Sequence, residues 1–537
     1  MAGFKYAFSL SEGEVESARP PGTVVLIDHH LQRTTSGREV QEDTVVLNPQ
    51  PSLDPADPLN WAPWRKTAML VCVSAVPLVA NFTSSSIASA FPVLATPLAF
   101  NPPVPITRLT QLISVNVLMQ GASNFLWVPL ANTFGRRPIM LISLLMLVFF
   151  SMWAGLAKDF SSLLAARFFM GFSNGPADTI APDIIGEIYF VHQRGRAMAI
   201  YTVCLACGPL LGGIAGGYIV GGLGIAWIHW VNVILAAITL ILCFLFQPET
   251  LFDRTATMGI AGNSSIDHSS ETKPKVTELE EVAFTTDYRP YTFARSLKMN
   301  TYRGGVLQKF IAPFLTLRLP GVWLIMFWYA GLVGGVVTIS AIGPTIVASP
   351  PYLWGHDAGL INVGALIGAL VGLVFTYITV DRSIKQQAKH ESHGLGEPET
   401  RLKTALPGLF LATAGLLVFG FCAANPSPKG WVGLQVGYGM VSFGLMQCPS
   451  VGFNYLIEAY NAISGDCFVA VTSCRAIIAF AWTFFVGTWV HDRGAAEPFG
   501  IFGMLMGLFA LFTFPILIWG KRLRIATAKW LPAHADH

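Results

Sequence analysis

The 537-residue chain is 53% hydrophobic and only 12% charged, and its formal net charge is +3. A soluble domain carries about twice that charged fraction, so the composition indicates that lipid is the main solvent of the folded chain. The small net charge, without any cluster of basic and aromatic residues, argues against a nucleic-acid partner.

The first 60 residues are mixed and polar, and no apolar stretch follows a basic start. This pattern argues against a cleaved secretory signal. We therefore expect residues 1–66 to form a polar cytosolic tail and the first apolar segment to act as its own insertion signal. The eight cysteines lie in or beside apolar segments, which argues against a disulfide framework.

Twelve apolar segments follow, each long enough to cross a bilayer as a helix of about 20 residues. They cover residues 67–90, 110–131, 138–157, 162–188, 197–219, 225–247, 320–348, 357–380, 404–423, 431–457, 467–490 and 498–519. The polar composition of residues 248–319 indicates a solvated, partly disordered central loop. The sequence thus predicts an all-α integral membrane protein with two six-helix halves, 67–247 and 320–520, and a cytosolic tail, 521–537.

Basic residues determine the predicted orientation, because Lys and Arg are enriched in cytoplasmic loops. With the N-terminus inside, the inner loops hold most of the basic residues. The outer loops hold only Arg108, Lys158, Lys429 and Arg493. An even number of spans then places both termini in the cytosol. Two arginines remain inside spans, Arg167 in the fourth and Arg475 in the eleventh.

Twelve spans in two halves, joined by a long inner loop, resemble the plan of the major facilitator transporters. Between spans two and three, the sequence WVPLANTFGRRPIM resembles the family's signature loop. Gly135, Arg136 and Arg137 match it, whereas Asn132 stands where the family has an aspartate. The resemblance implies a gating role for Asn132, Arg136 and Arg137. A basic loop that only sets topology is the alternative.

The fifth span contains CLACGPLLGGIAGGYI, in which Gly208, Pro209, Gly212 and Gly213 match the core of the motif typical of drug–proton antiporters. Within the family this motif favours export over import. Pro209 can bend the helix because it removes a backbone hydrogen bond. Gly208, Gly212 and Gly216 recur every fourth residue, along a stripe where another helix can approach closely. Tight packing alone is the alternative interpretation.

Further segments are similar to those of a fungal 12-span drug/metabolite:proton antiporter subgroup. They are DPADPLNWAPWRK before the first span, QPET after the sixth, EPETRL before the ninth and GDCFVAVTSCRAIIAFAWTFFV in the eleventh. The resemblance covers about residues 50–520.

The fourth span carries four ionisable residues on two faces. Successive helical residues turn by about 100°, so Asn174 and Asp178 lie within about 20° of the direction of Arg167. Asp183 and Glu187 lie roughly opposite, in a direction that a kink at Pro182 would change. We therefore expect two sites on this one helix.

Asp178 lies near the predicted membrane midplane, where a charge is costly unless it meets water or a partner. We therefore expect Asp178 to face a central cavity and to exchange a proton. A structural hydrogen bond is the alternative. Arg167 lies about 16 Å away along the helix axis, which excludes a direct salt bridge between the two. Arg167 and Gly171 match the family's Arg-x-x-x-Gly motif, and the resemblance implies a part in proton coupling for Arg167.

The other two acids lie near the predicted cytosolic end of the span. In the family, an acid at this end pairs with an arginine of the signature loop, and Glu187 is the best match, with Arg136 or Arg137 as its partner. Such a bridge would hold an inner gate in one state and break in the other. Simple exposure near the lipid headgroups is the alternative for Asp183 and Glu187.

Other polar and aromatic residues within the spans are candidates for contact with a substrate, with helix packing as the alternative for each. They are Asn81, Ser85, Asn174, Trp328, Tyr329, Tyr438, Gln447, Asn454, Arg475 and Trp482. Glu458 is expected to pair with Arg475 or with a basic residue of a loop.

The resemblance implies a secondary transporter that exports a drug or secondary metabolite by proton antiport. Proton-coupled uptake of a nutrient, an organic cation or a carboxylate is an alternative, and a transport-inactive sensor is another. No nucleophile, metal or phosphate motif stands out, so we expect no enzyme activity, metal or cofactor, and the proton gradient would supply the energy. We expect a monomer in the plasma membrane, with the vacuolar membrane as the alternative.

Overall fold

The computed structural model describes residues 2–18, 20–25, 27–33, 39–45, 51–52, 54–96, 103–252, 302, 304, 306–390, 395–460 and 463–530. Most of the predicted central loop 248–319 and the end of the predicted tail 521–537 lie outside the described residues. The domain boundaries and the membrane orientation stay predictions.

The helices before the central loop are α1 (Ala2–Ser9), α2 (Glu12–Ser17), α3 (Pro63–Ser85), α4 (Phe91–Leu94), α5 (Ile106–Leu109), α6 (Gln111–Ala122), α7 (Asn124–Phe134), α8 (Arg136–Leu156), α9 (Phe160–Asn174), α10 (Pro176–Ile188), α11 (Val191–Leu223) and α12 (Ile225–Phe246). Those after it are α13 (Val306–Thr316), α14 (Pro320–Ala348), α15 (Asn362–His390), α16 (Glu399–Leu402), α17 (Leu406–Ala424), α18 (Gly430–Gln447), α19 (Asn454–Ala459), α20 (Ser464–Arg493), α21 (Ala496–Leu511) and α22 (Thr513–Thr527). Short 3-10 helices cover Pro58–Asn60, Ala88–Ala90, Gly355–Ile361, Lys403–Ala405 and Ala528–Trp530, and a π-helical segment covers Cys448–Phe453.

Helix occupies most of each of the twelve predicted spans. In the described part of the chain, nine helices are long and apolar enough to cross a membrane by length and composition. The other three predicted spans, 110–131, 162–188 and 431–457, are helical but interrupted. The count of twelve therefore stays a prediction, whereas the helical architecture in two halves is confirmed.

Two of these interruptions have a local cause. In the fourth span, α9 gives way to α10 at Gly175, because the following Pro176 lacks the backbone N–H that would continue the ladder. Near the end of the tenth span, Pro449 lies in the π-helical segment that joins α18 to α19. Pro182, the kink site considered from the sequence, lies within α10 without ending it.

Two short pairs of strands lie outside the predicted spans, where the sequence analysis had predicted no strand. β1 (Val24–Val25) pairs antiparallel with β4 (Leu395–Gly396), and β2 (Ile27–Arg33) pairs antiparallel with β3 (Glu39–Val45). The first pair joins the N-terminal segment to the segment before the ninth span.

The two halves meet along seams in which α6 packs against α20 and α11 packs against α15. Within the N-terminal half, the glycine stripe of α11 faces α3. A Cβ atom added at Gly208 or at Gly212 would lie 2.6 Å from a backbone carbonyl oxygen of α3, that of Leu78 or of Phe82. Glycine at these positions lets the two backbones approach as closely as they do.

Candidate functional site

A small cavity of about 40 Å³ lies between the two halves. Ligand pockets usually measure about 300–1,000 Å³, so this cavity holds water-sized molecules and no organic substrate. In the described conformation the two halves are in direct contact beside this cavity, through Ser85 and Ser340 and through Asp178 and Arg475. The lining residues are Asn81, Ser84, Ser85, Ile113, Val117, Gln120, Leu205, Pro209, Val333, Val336, Val337, Ser340, Leu445 and Arg475.

Asp178 and Arg475 form a buried ion pair that joins the two halves. Nη2 of Arg475 contacts Oδ2 of Asp178, and the two side chains are 4% and 0% exposed. Gln120 Nε2 donates to the same carboxylate oxygen at 2.8 Å. The guanidinium carbon of Arg475 lies 5.3 Å from the ring centroid of Tyr329. Breaking such a pair leaves a buried charge uncompensated, so separating the halves here requires neutralisation of Asp178 or a new partner for Arg475.

The two members of this pair differ in their relation to the cavity. Arg475 lines it, whereas Asp178 lies behind Arg475 and Gln120 and is absent from the lining. Among the described lining residues, Arg475 is the one charged side chain. Both residues were predicted from the sequence as site residues, but their pairing and the contact of Gln120 were not. Two opposite charges inside spans were the available signal for the pair, because intramembrane charges are rare and usually partnered.

Arg167 contacts the end of α3. Its Nη1 donates to the carbonyl of Thr83 at 2.7 Å and its Nη2 to the carbonyl of Ser84 at 2.8 Å. Because α3 ends at Ser85, these carbonyls belong to its last turn, where the helix dipole is negative and intrahelical donors run out. Arg167 therefore stabilises the C-terminal end of α3. Its part in proton coupling stays a prediction.

The remaining substrate candidates fall into two groups. Asn81 and Ser85 line the cavity, and Ser85 Oγ lies 2.9 Å from Ser340 Oγ of the other half. Asn174 donates to the carbonyl of Ala80 at 3.0 Å and thus contacts α3. The others contact neighbouring side chains or carbonyls in this conformation: Trp328 with Thr513, Tyr329 with Arg475, Tyr438 with Val336, Gln447 with Thr376, Asn454 with Ser450 and Trp482 with Phe502. Substrate contact by any of them stays a prediction.

At the opposite end of the fourth span, Asp183 and Glu187 meet the same arginine. Arg136 Nη2 lies 2.5 Å from Asp183 Oδ2 and 2.7 Å from Glu187 Oε1. Ser464, the first residue of α20, donates its hydroxyl to Asp183 at 2.9 Å, so this cluster also spans both halves. Arg137, the other candidate partner, donates instead to the carbonyl of Phe244 at 2.8 Å.

Glu249, to which no role was assigned from the sequence, binds the backbone of the two arginines of the signature loop. Its carboxylate accepts the backbone N–H groups of Arg136 at 2.9 Å and Arg137 at 3.1 Å, and so caps the N-terminus of α8. It comes from the QPET segment, whose position after the sixth span was the available signal. At Asn132, the family's aspartate position, the backbone carbonyl accepts from Lys309 Nζ at 2.8 Å.

We expect the substitution Glu249→Ala to lower the free energy of unfolding by about 1–2 kcal/mol, the usual cost of losing a helix cap. The measurement is thermal or denaturant unfolding of the purified protein. Asp159→Ala is the matched control, because Asp159 occupies the N-cap position of α9 without a side-chain capping hydrogen bond. Equal stability of the two variants would contradict the capping role of Glu249.

Glu458 pairs with the loop base Arg401 and not with Arg475, which has Asp178. Arg401 Nε lies 3.0 Å from Glu458 Oε2, and Arg401 Nη2 lies 2.8 Å from Oε1. Arg401 Nη2 also donates to the carbonyl of Val191 in the other half at 3.3 Å. Arg401 is therefore a second contact between the halves on the face that carries Arg136. Over the residues that the structure describes, no group of three or more His, Cys, Asp or Glu side chains is placed to hold a metal ion.

Comparison with known proteins agrees with this architecture. Residues 73–460 match the family model of the Major Facilitator Superfamily. The chain is 27% identical to an uncharacterized MFS-type transporter of Schizosaccharomyces pombe, over 96% of this chain and 94% of that one. It is 24% identical to a citrinin biosynthesis cluster MFS transporter of Monascus ruber, over 89% of this chain and 91% of that one. The solved structure of a human organic anion transporter superposes with a TM-score of 0.56 at 16% identity, covering 84% of this chain and 100% of that one, which supports the fold alone.

Proposed function

The chain belongs to the major facilitator superfamily and is a multi-pass membrane transporter, and on that premise we propose that it exports a small organic molecule by proton antiport. The observation that carries the proposal is the buried Asp178–Arg475 pair, which joins the halves beside the cavity. The antiporter-type glycines of α11 and the citrinin-cluster relative also support export.

The pair couples proton binding to substrate binding through the charge of the cavity wall. When Asp178 is ionised, it neutralises Arg475, and the wall carries no net charge. When a proton neutralises Asp178, the positive charge of Arg475 is left uncompensated next to the cavity. A bound cation is then repelled. Proton and cationic substrate therefore weaken each other's binding, which is the requirement for antiport.

The same geometry favours a second candidate for one class of substrate. An organic carboxylate would bind Arg475 best when Asp178 is protonated, because the two carboxylates compete for one guanidinium. Proton and anion would then strengthen each other's binding and move together, which gives proton-coupled uptake. The position of Arg475 on the wall is the observation that favours this candidate.

Access would alternate by the opening of one face at a time. On the face that carries Arg136, opening must break the Ser464–Asp183 and Arg401–Val191 contacts between the halves. We propose that this face is cytosolic, that both termini are cytosolic and that the transporter works as a monomer in the plasma membrane. The energy would come from the proton gradient without a cofactor.

The test is transport by the purified protein in proteoliposomes with an imposed pH gradient and a panel of organic cations, neutral metabolites and carboxylates. Antiport predicts that a cation or neutral substrate moves against the direction of proton flow and stops moving when a protonophore collapses the gradient. Movement of a carboxylate with the protons would support uptake instead. Protein-free liposomes are the control. If the transport of every substrate is independent of the imposed pH gradient, proton coupling in either direction is contradicted.

A further inference from the structure

The N-terminal segment, residues 2–25, is docked on the C-terminal half. Helix α1 lies along α22, the last helix of the chain. The ring centroids of Phe4 and Trp530 are 5.6 Å apart, and those of Phe8 and Trp519 are 6.4 Å apart, both with tilted edge contacts. The sequence of this segment predicts only a polar tail.

Arg522 of α22 fixes the end of α1. Its Nη1 donates to the carbonyl of Ala7 at 3.2 Å and to that of Leu10 at 2.8 Å. Carbonyls at the C-terminal end of a helix lack intrahelical donors, and a basic side chain there is favourable for the helix dipole. Ala7 is fully buried.

The second part of the segment is held by Arg524 and the residues before the ninth span. Arg524 Nη1 donates to the carbonyl of Pro21 at 2.8 Å, and its Nε lies 2.7 Å from Glu399 Oε1. The hydroxyl of Thr23 donates to Glu397 Oε2 at 3.0 Å. The next two residues form strand β1, which pairs with β4.

Gly22 is the tightest point of this docking. Its φ angle is +92°, which a side chain rarely allows, and an added Cβ would lie 2.7 Å from Cα of Ala459 and 2.8 Å from the carbonyl oxygen of Glu458. Glu458 is the partner of Arg401, which contacts Val191 of the other half. The segment therefore rests directly on an element that joins the halves.

Further along the chain, residues 58–60 pack on the N-terminal half. They contact α10, and the carbonyl of Leu59 accepts a hydrogen bond from Lys66 Nζ at 2.8 Å, at the start of α3.

We propose that residues 2–25 act as a strap that restrains the opening of the face carrying Arg136. The strap is docked on the C-terminal half, where Gly22 rests on Glu458, the partner of Arg401. Docking thus holds the Arg401–Glu458 pair in the position from which Arg401 contacts Val191 of the other half, and opening of this face breaks that contact. Release of the strap therefore shifts the population towards the open form of this face. This inference concerns regulation of the cycle and holds whichever substrate or ion is moved.

The test compares Gly22→Val with Gly13→Ala in the full-length purified protein. Valine at position 22 cannot adopt the left-handed backbone and collides with α19. Gly13 has nothing within 4 Å of an added Cβ, which makes it the matched control. The readout is the alkylation rate of Cys467, which is fully buried on α20, one turn from the Ser464 that contacts Asp183 of the other half. We expect Cys467 to become accessible when this face opens. Peptide mass spectrometry measures the rate at each cysteine.

We expect Cys467 to react several-fold faster in Gly22→Val than in the native protein, with Gly13→Ala unchanged. Cys243, buried within the N-terminal half, reports global unfolding and should stay unreactive in all three. Limited proteolysis of residues 2–25 shows whether the strap has undocked. An undocked strap with an unchanged rate at Cys467 would overturn the proposal and leave a purely structural support.

If Gly22→Val does not fold, Arg522→Gln removes the contacts to α1 without changing a residue of the strap. A faster alkylation of Cys467 in this variant supports the proposal, and an unchanged rate with an undocked strap overturns it. Neither readout needs a substrate or a pH gradient. Failure of the strap proposal is therefore distinguishable from failure of proton antiport, which only the transport assay measures.

Discussion

The variant Asp178→Asn is expected to exchange substrate between the two sides but to lose coupling to protons. Asparagine keeps the size of the side chain and accepts hydrogen bonds, but it cannot bind or release a proton in the physiological range. Arg475 then keeps an uncompensated charge on the cavity wall in every state. The measurements are substrate counterflow without a gradient, which should persist for a substrate that tolerates this charge, and substrate-driven proton movement, which should disappear.

The same variant should also be less stable, because removing one partner of a buried ion pair costs about 3–5 kcal/mol. The double variant Asp178→Asn, Arg475→Gln should recover part of that loss, since it removes the uncompensated charge as well. Asp159→Asn, an exposed acid just before the same span, is the control and should behave like the native protein. Full proton coupling in Asp178→Asn would remove Asp178 from the mechanism.

The fold could be predicted largely from hydropathy, because a membrane limits a chain to a few architectures. Twelve apolar segments, a central polar loop and the distribution of Lys and Arg were enough to predict the two halves. The positions of the helix breaks were less predictable. Pro176 and Pro182 have the same chemistry, but the backbone leaves the helical ladder only before Pro176, where Gly175 precedes it.

The site could be predicted as a set of residues but not as a set of contacts. Helical geometry correctly separated Arg167 from Asp178, since that distance depends on one helix alone. The partner of Asp178 comes from α20, and only the packing of the two halves determines which residues meet there. The contact of Gly22 with Glu458 likewise joins distant parts of the chain. The local sequence of the tail does not predict it.

A substitution at a glycine of α11 is also expected to have a large effect on stability and transport, because these glycines set the distance between α11 and α3. In Gly212→Ala the new methyl group would lie 2.6 Å from the carbonyl oxygen of Phe82, which is backbone and cannot rotate away. The helices must move apart, and overpacking of this kind usually costs about 1–3 kcal/mol. Because α3 carries Asn81 and Ser85 on the cavity wall, we expect transport to fall severely.

Gly222→Ala is the matched control on the same helix, since nothing lies within 4 Å of an added Cβ there. Alanine in place of glycine should even stabilise that part of the helix, by up to about 1 kcal/mol. Thermal unfolding and transport measured together separate the two interpretations of the motif. A parallel loss of stability and transport in Gly212→Ala indicates packing, whereas lost transport at unchanged stability indicates that the close approach of α11 and α3 serves the transport cycle itself. Native-like transport in Gly212→Ala would contradict both interpretations, because the two backbones could then separate without consequence.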